Sequence, residues 1–441
     1  MKRIFSIIGI FTIFLLLFNL TVSAEEELGL IENAKSGILI EQSTGAILYE
    51  KEKDRRLSPA SMTKIMTLLL IYEAMENNRF DKNTILTTSE YAASMGGSQV
   101  YLEPNEKISV DEAIKCVCVA SANDCAVLLA EEVSGSENEF VRRMNEKSKE
   151  LGCLNTNFSD CTGLTSDNHY TSAYDLAIIS KELLNKYPEV NEYTSIQEDY
   201  IRKNTSSPFW LVNTNKMIGR VEGLNGLKTG YTSFSGYCIT LSMNKDNMDL
   251  ISVVFGYSNS TTRNVESLAL LKYGFSNYKI DTILKKGDVL GEIDHILFKN
   301  KVTIIVDNDI KNVTKKGESF EYSYEYDYEI NNNSCDGNVK VYKDNNVITN
   351  NSITTDNIIE RRNIIELVGE IFKRSFCQWK KIDKKCCQVF YYKKFRYIII
   401  VQRGKCYGRG FIRVWGLYWG FLWIQFTWFI RWGWYCFSRQ V

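Results

Sequence analysis

Histidine is almost missing from this 441-residue chain: there are two, His169 and His295. A serine–histidine–carboxylate triad therefore has very few ways to form. No CxxC pair occurs, and no cluster of cysteine and histidine has zinc spacing. Neither a metal nor any other cofactor is expected. Net charge is also missing, since 53 basic residues balance 53 acidic ones. The balance conceals an uneven distribution. Residues 375–441 carry 13 Lys+Arg against the single acid Asp383, whereas 25–374 carry 38 basic and 52 acidic residues. An acidic body argues against nucleic acid as a partner.

Long apolar runs are confined to the two ends. MKRIFSIIGIFTIFLLLFNLTVSA opens with Lys2 and Arg3 and ends on the small residues Val22-Ser23-Ala24. It is expected to be a signal peptide cleaved after Ala24, placing the mature protein outside the cytoplasm. Export with twelve cysteines would suggest disulfides. Cys116, Cys118 and Cys125 instead lie in one helical pattern, where residues seven apart are about 10 Å distant, too far to bridge. They are expected to act as small buried hydrophobes.

What remains has a readable organisation. GILIEQSTGAILYEK alternates and turns at Ser43-Thr44-Gly45, a β-hairpin. Helical patterns follow from Ser58, around Cys116, from Glu137 and from Thr171. GYCITLSMNKDNMDLISVVFGY reads as a second hairpin and VESLALLKYGFSNY as a closing helix. Hairpins flanking a helical interior predict an α/β (α+β) domain over 25–278, an antiparallel sheet with helices on both faces and a helical lobe. Residues 279–357 hold short alternating runs, a small β-sandwich. Residues 358–374 place apolar side chains on one helical face, an amphipathic helix suited to a membrane surface.

The tail 375–441 differs from everything before it. Seven of the eight tryptophans and five of the twelve cysteines fall there. This shift in composition leads us to read it as an out-of-frame or readthrough extension.

Three short elements carry chemistry. Ser61 and Lys64 of SMTK stand three apart, side by side on a helix. Ser58-Pro59 is expected to cap that helix and put Ser61 in its first turn, among free N–H groups. Ser121-Ala122-Asn123 is a polar trio at an expected helix junction inside an apolar stretch. Lys228-Thr229-Gly230 is expected to open the strand of the second hairpin.

Each element is weak singly, but in this order and spacing they match the S-x-x-K, S-D-N and K-T-G set of penicillin-recognising serine enzymes. The sequence resembles the low-molecular-mass penicillin-binding proteins, the serine-type D-alanyl-D-alanine carboxypeptidases. IEQSTGAILYEK, LSPASMTKIMT, SANDCAVLLAEEVSGS, NFSDCTGL, HYTSAYDLA and GLKTGYTSFSGYCI are similar to that family's recurring segments, and the likeness covers about 25–374. Ala122 and Ser235 depart from its usual residues without removing a reactive group.

The resemblance implies removal of the terminal D-alanine from peptidoglycan stem pentapeptides, at the outer face of the cytoplasmic membrane, with β-lactams as covalent inhibitors. Ser61 would be the nucleophile, Lys64 its base and Ser121 a proton relay. Asn123 would fix Lys64 and the substrate amide. Lys228 and Thr229, with Arg263 as a further cation, would hold the terminal carboxylate. Gly230, Tyr231 and Thr232 would offer a strand edge to the peptide, with the Ser61 and Tyr231 N–H groups as an oxyanion hole. Two other readings compete: a serine β-lactamase, and a non-catalytic wall-binding scaffold. The first lacks a Glu-x-x-x-Asn between Asn123 and Lys228, and the second leaves intact reactive groups without purpose.

If the tail is a translation artefact, the mature protein weighed intact should lack the mass of residues 375–441. A full-length mass with this tail in a membrane would reject that reading.

Overall fold

The computed structural model describes residues 29–382, except 165–167, 332–333, 345 and 357–358, together with 400–402 and 405–407. The expected signal peptide and most of the anomalous tail lie outside the described residues. The chain divides into two compact units, Met1–Gly291 with Thr303–Asp356, and Glu292–Val302 with Asn357–Val441.

The frame of the first unit is an antiparallel sheet of β1 (Ser36–Glu41), β2 (Ile47–Lys51), β3 (Leu224–Thr232), β4 (Gly236–Lys245) and β5 (Met248–Tyr257). Its order is β2-β1-β5-β4-β3, so β3 forms one edge. The first hairpin turns where expected, because the buried Glu41 carboxylate accepts from Ser43 and Thr44 through both their N–H and hydroxyl groups. Gly45 completes that turn with φ of 77°, a conformation costly for other residues.

Alternation along the strands sends side chains into two cores. Ile38, Ile40, Ile251, Val253 and Phe255 face the helical lobe. Leu39, Leu241, Leu250 and Val254 face the other way, towards Leu270, Leu271 and Phe275 of the helix Ser260–Asn277. Gly274 permits that closeness, since a Cβ there would lie 2.6 Å from Leu250 and 2.8 Å from Leu39.

The lobe is built from α1 (Lys64–Glu76), α2 (Val110–Val119), α3 (Asn123–Ser134), α4 (Glu137–Glu150) and α5 (Ala173–Lys186). Ser109, Ser136 and Ser172 cap α2, α4 and α5, each accepting the N–H three residues on. α1 is buried on every side from Lys64 to Tyr72, which is why its sequence shows almost no polar face.

Two local expectations change. Ser58 does not cap a helix. Pro59 instead precedes a single 3-10 turn, Ala60–Thr63, with no side-chain cap, and α1 begins only at Lys64. Ala60 has φ of 47°, a left-handed kink that no helical first turn contains. The cysteine-bearing pattern is two helices that meet at the expected polar trio, with Ser121 at φ of 62°, so the one-helix spacing of Cys116 and Cys125 does not hold. The break folds α3 back against α2 and brings Cys125 beside Cys116, closer than one straight helix would allow. Both are buried and free, as are Cys118, Cys153, Cys161 and Cys238.

Lys228-Thr229-Gly230 sits in the middle of β3, a strand of its own before the second hairpin. Further along, Val302–Val306, Asn346–Thr355, Ser334–Lys343 and Tyr322–Asn331 pair antiparallel in that order. Val306, Ile304, Val339, Val341 and Ile353 are buried among them. The last long helix runs Ile364–Ile382. Asn363 and Glu366 close its start reciprocally, each side chain accepting the other's N–H. Ile364, Ile365, Val368, Ile371 and Phe372 are exposed. No described helix is long and apolar enough to cross a membrane.

The kink at Ala60 depends on Gly163. Its φ is 87°, and a Cβ there would lie 1.8 Å from the Ala60 carbonyl oxygen. Gly163→Ala should cost roughly 2 kcal/mol or more, read as a lower thermal midpoint; an unchanged midpoint would contradict this packing.

Candidate active site

Ser61 lies in the 3-10 turn and Lys64 directly after it, at the first residue of α1. The tight turn keeps both side chains on one side, and Lys64 is fully buried. Its Nζ is 3.1 Å from Ser61 Oγ, 2.7 Å from Asn123 Oδ1 and 2.8 Å from the Thr162 carbonyl oxygen. Among the described residues no carboxylate touches it. Burial lowers the Lys64 amine from 10.5 to about 8, with Cys161, Asp160 and Asp124 opposing the shift.

Asn123 is held from two sides as the first residue of α3. Its Nδ2 donates to the Gly96 carbonyl at 2.7 Å and its N–H to the Ser98 carbonyl at 2.7 Å. Asp124 next to it is buried, accepting from the Val100 and Leu102 N–H groups. The 96–102 loop is thereby pinned beside the site. Ser121 occupies the left-handed kink before α3, and its buried Oγ has no hydrogen-bond partner. A buried hydroxyl without a partner is costly; it stands available to an incoming group.

Strand β3 supplies the second amine. Lys228 is buried and its Nζ donates to the Thr229 carbonyl at 3.1 Å. Burial first, then the nearby charge of Lys64, holds Lys228 well below its ordinary value. Thr229 Oγ1 donates to Thr214 Oγ1 at 2.8 Å. At Gly230 a Cβ would lie 2.7 Å from the Pro59 carbonyl and 3.2 Å from Ala60 Cβ. Only glycine lets the edge strand pass this close to the Ser61 turn. Tyr231 is exposed and packs on Tyr237 with ring centroids 4.3 Å apart. Thr232 is tied through its N–H and hydroxyl to Ser235 Oγ.

Arg263 is buried behind the strands. Its guanidinium donates to the Cys238 carbonyl at 3.3 Å and to Asn264 Oδ1, and lies over the Tyr237 ring at 6.0 Å. Its charge reaches Lys228 and lowers it further. Thus Lys64 touches Ser61 and Asn123 directly, Lys228 joins it through electrostatics, and Arg263 stands one layer back.

Three participants are not recognisable from residue type alone. The Thr162 carbonyl is backbone. Asp160, which shapes the loop around it, resembles any turn aspartate. His169 is buried, with Nε2 2.7 Å from Thr63 Oγ1, so it packs behind the site as a helix-start residue would, yet is linked to the SMTK turn. Among the described residues no three metal-ligating side chains gather.

A half-buried serine against a buried lysine, an asparagine on a helix start and a lysine on an antiparallel edge strand define a penicillin-recognising serine enzyme. Residues 21–259 match the family model of D-alanyl-D-alanine carboxypeptidase, peptidase family S11. D-alanyl-D-alanine carboxypeptidase DacF of Bacillus subtilis (strain 168) is 48% identical over 290 residues, covering 66% of this chain and 74% of that protein. Penicillin binding protein 5 of Haemophilus influenzae superposes with a TM-score of 0.63 at 30% identity, covering 75% of this chain and 98% of that one. Penicillin-Binding Protein D2 of Listeria monocytogenes, solved with ampicillin bound, gives a TM-score of 0.50 at 29% identity over 55% of this chain and 98% of that one. The chain belongs to the D-alanyl-D-alanine carboxypeptidase family.

Proposed function

We propose that this serine-type carboxypeptidase cleaves the terminal D-alanine from peptidoglycan stem pentapeptides through an acyl-enzyme on Ser61. The observation that carries this reading is the set of partners around Lys64 Nζ. A neutral amine has two N–H bonds and one lone pair. The Asn123 and Thr162 oxygens take the two hydrogens, which leaves the lone pair towards the Ser61 hydroxyl. Ser61 Oγ gives its proton to Lys64 as it attacks the penultimate carbonyl. The unpartnered Ser121 hydroxyl relays a proton to the departing amine. Water then attacks the ester and releases the shortened peptide.

Lys228 and Thr229 bind the terminal carboxylate, with Arg263 adding positive potential from behind. Asn123 positions both Lys64 and the substrate amide. The peptide lies along the edge from Gly230 to Thr232 as an added strand. The Ser61 and Tyr231 N–H groups donate to the developing oxyanion, a role supported by the close passage of Gly230 against Pro59 and Ala60. β-Lactams acylate the same serine, as ampicillin binding by the Listeria relative suggests.

The work is extracytoplasmic. Residues 1–24 direct export, 25–278 form the catalytic domain and 279–357 a spacer. The helix within 358–374 rests its exposed isoleucines on the outer face of the membrane.

A fluorescent penicillin should label the protein covalently, and Ser61→Ala should abolish both labelling and D-alanine release from a pentapeptide. Labelling that survives without Ser61 rejects the assignment.

The pH dependence has a definite sign. Only the uncharged Lys64 accepts a proton, and its value is about 8. The labelling rate should rise with pH and reach half its maximum near that point. Lys64→Arg stays charged throughout and should slow labelling about 100-fold or more at every pH. A flat wild-type profile from pH 6 to 9 would exclude Lys64 as the base.

A further inference from the structure

One of the two carbonyls that orient Lys64 is held by a charged group with no assigned role. Asp160 Oδ1 accepts from Thr162 N–H at 2.7 Å, Thr162 Oγ1 at 2.8 Å, Gly163 N–H and Leu164 N–H at 3.2 Å. One oxygen thus gathers the donors of a tight loop, and the conformation it imposes turns the Thr162 carbonyl towards Lys64 Nζ. The other oxygen faces His169, with Oδ2 3.4 Å from Nδ1. The same Nδ1 takes the Ser159 N–H at 3.1 Å, and the opposite nitrogen of the ring reaches Thr63 Oγ1. His169 therefore ties the loop to the turn that carries Ser61, and Phe158 packs edge-on against its ring.

We propose that Asp160, braced by His169, is the positioning residue for the base: it aims the Thr162 carbonyl at Lys64 and adds its negative potential to that of Asp124 at the amine. This rests on the Ser61–Lys64 reading above. Two consequences separate the roles. As a backbone clamp, Asp160 fixes one of the two acceptors that point the Lys64 lone pair at Ser61, and a loop displaced by an ångström would cost up to about 100-fold in rate. As a charge, it favours the ammonium form of Lys64. The groups facing Lys64 are Asp160 and Cys161 from this loop, Asp124 from α3 and Lys228 from β3. Asp160 and Asp124 hold the proton on, whereas Lys228 works against it. Against its burial, the carboxyl of Asp160 is itself kept far below the usual carboxylate range by the Thr162 N–H and hydroxyl donors, so it stays charged at every pH at which the enzyme is assayed.

The experiment is covalent labelling of the full chain by a fluorescent penicillin from pH 5.5 to about 10, for wild type, Asp160→Asn and Asp160→Ala. The asparagine keeps a carbonyl oxygen for the loop donors and loses only the charge. Its acid limb should move to lower pH by about 0.5 to 1 unit, as loss of a nearby anion lowers an ammonium, while its plateau stays within a few-fold of wild type. The alanine variant loses the clamp, and its plateau should fall about 10-fold or more. A purely structural aspartate would lower stability and plateau without moving the limb. An Asp160→Asn profile whose midpoint superimposes on wild type therefore overturns the inference, even where the alanine variant fails to fold. If wild type itself is not labelled at Ser61, the serine mechanism fails instead, and the two failures are distinct.

Discussion

The structure depends on an amine buried without a counter-ion. Lys64 and Lys228 are both withdrawn from water, with carbonyl oxygens rather than carboxylates as their partners. Burying an ammonium in this way is expensive, and the expense is relieved by giving up the proton. Loss of that proton would leave Lys64 the free lone pair that the proposed activation of Ser61 requires near neutral pH. A carboxylate in contact with Lys64 would stabilise the ammonium and end its use as a base. Asp160 and Asp124 are placed at one remove, where they temper the shift without cancelling it.

The surrounding fold exists to keep this environment dry and aligned. α1 is enclosed by the lobe on one side and the sheet on the other, so the Lys64 stem has apolar neighbours all round. Two glycines without room for a Cβ, Gly163 and Gly230, let a loop and an edge strand close on the Ser61 turn from opposite directions. The left-handed residues Ala60 and Ser121 sit at the two kinks that turn reactive side chains inward. Backbone in such conformations persists only where packing over-determines it. Here Gly163 covers Ala60, and the pinned 96–102 loop borders the Ser121 turn.

Much of this was legible beforehand because it rests on periodicity and residue type. The strand alternation of Ile38, Leu39 and Ile40, the first hairpin and its turn, and the serines before α2, α4 and α5 are local features. Ser61, Lys64, Asn123 and Lys228 were recognisable because few residue types can perform their chemistry and their order along the chain is distinctive. The misread places are those where tertiary contact overrides local preference. Ser58-Pro59 has the composition of a helix cap, yet the chain must first kink at Ala60 to admit Gly163. The polar trio Ser121-Ala122-Asn123 did mark the helix junction, but the spacing argument for Cys116 and Cys125 treated the apolar stretch around it as one helix, which the break at Ser121 overrides.

The sequence by itself determined which groups could react, the sheet-and-lobe architecture and the membership in a family of serine peptidases. Residue identity and spacing are properties of the chain. Which of those groups meet was decided by tertiary structure. The Thr162 carbonyl, the proposed Asp160 clamp and His169 brace, and the unpartnered Ser121 hydroxyl come from segments 60 to 108 residues from Ser61 in the chain, and backbone atoms carry no signature in a sequence. A lysine becomes a base only when folding excludes water around it, and that exclusion belongs to the packed interior rather than to any motif.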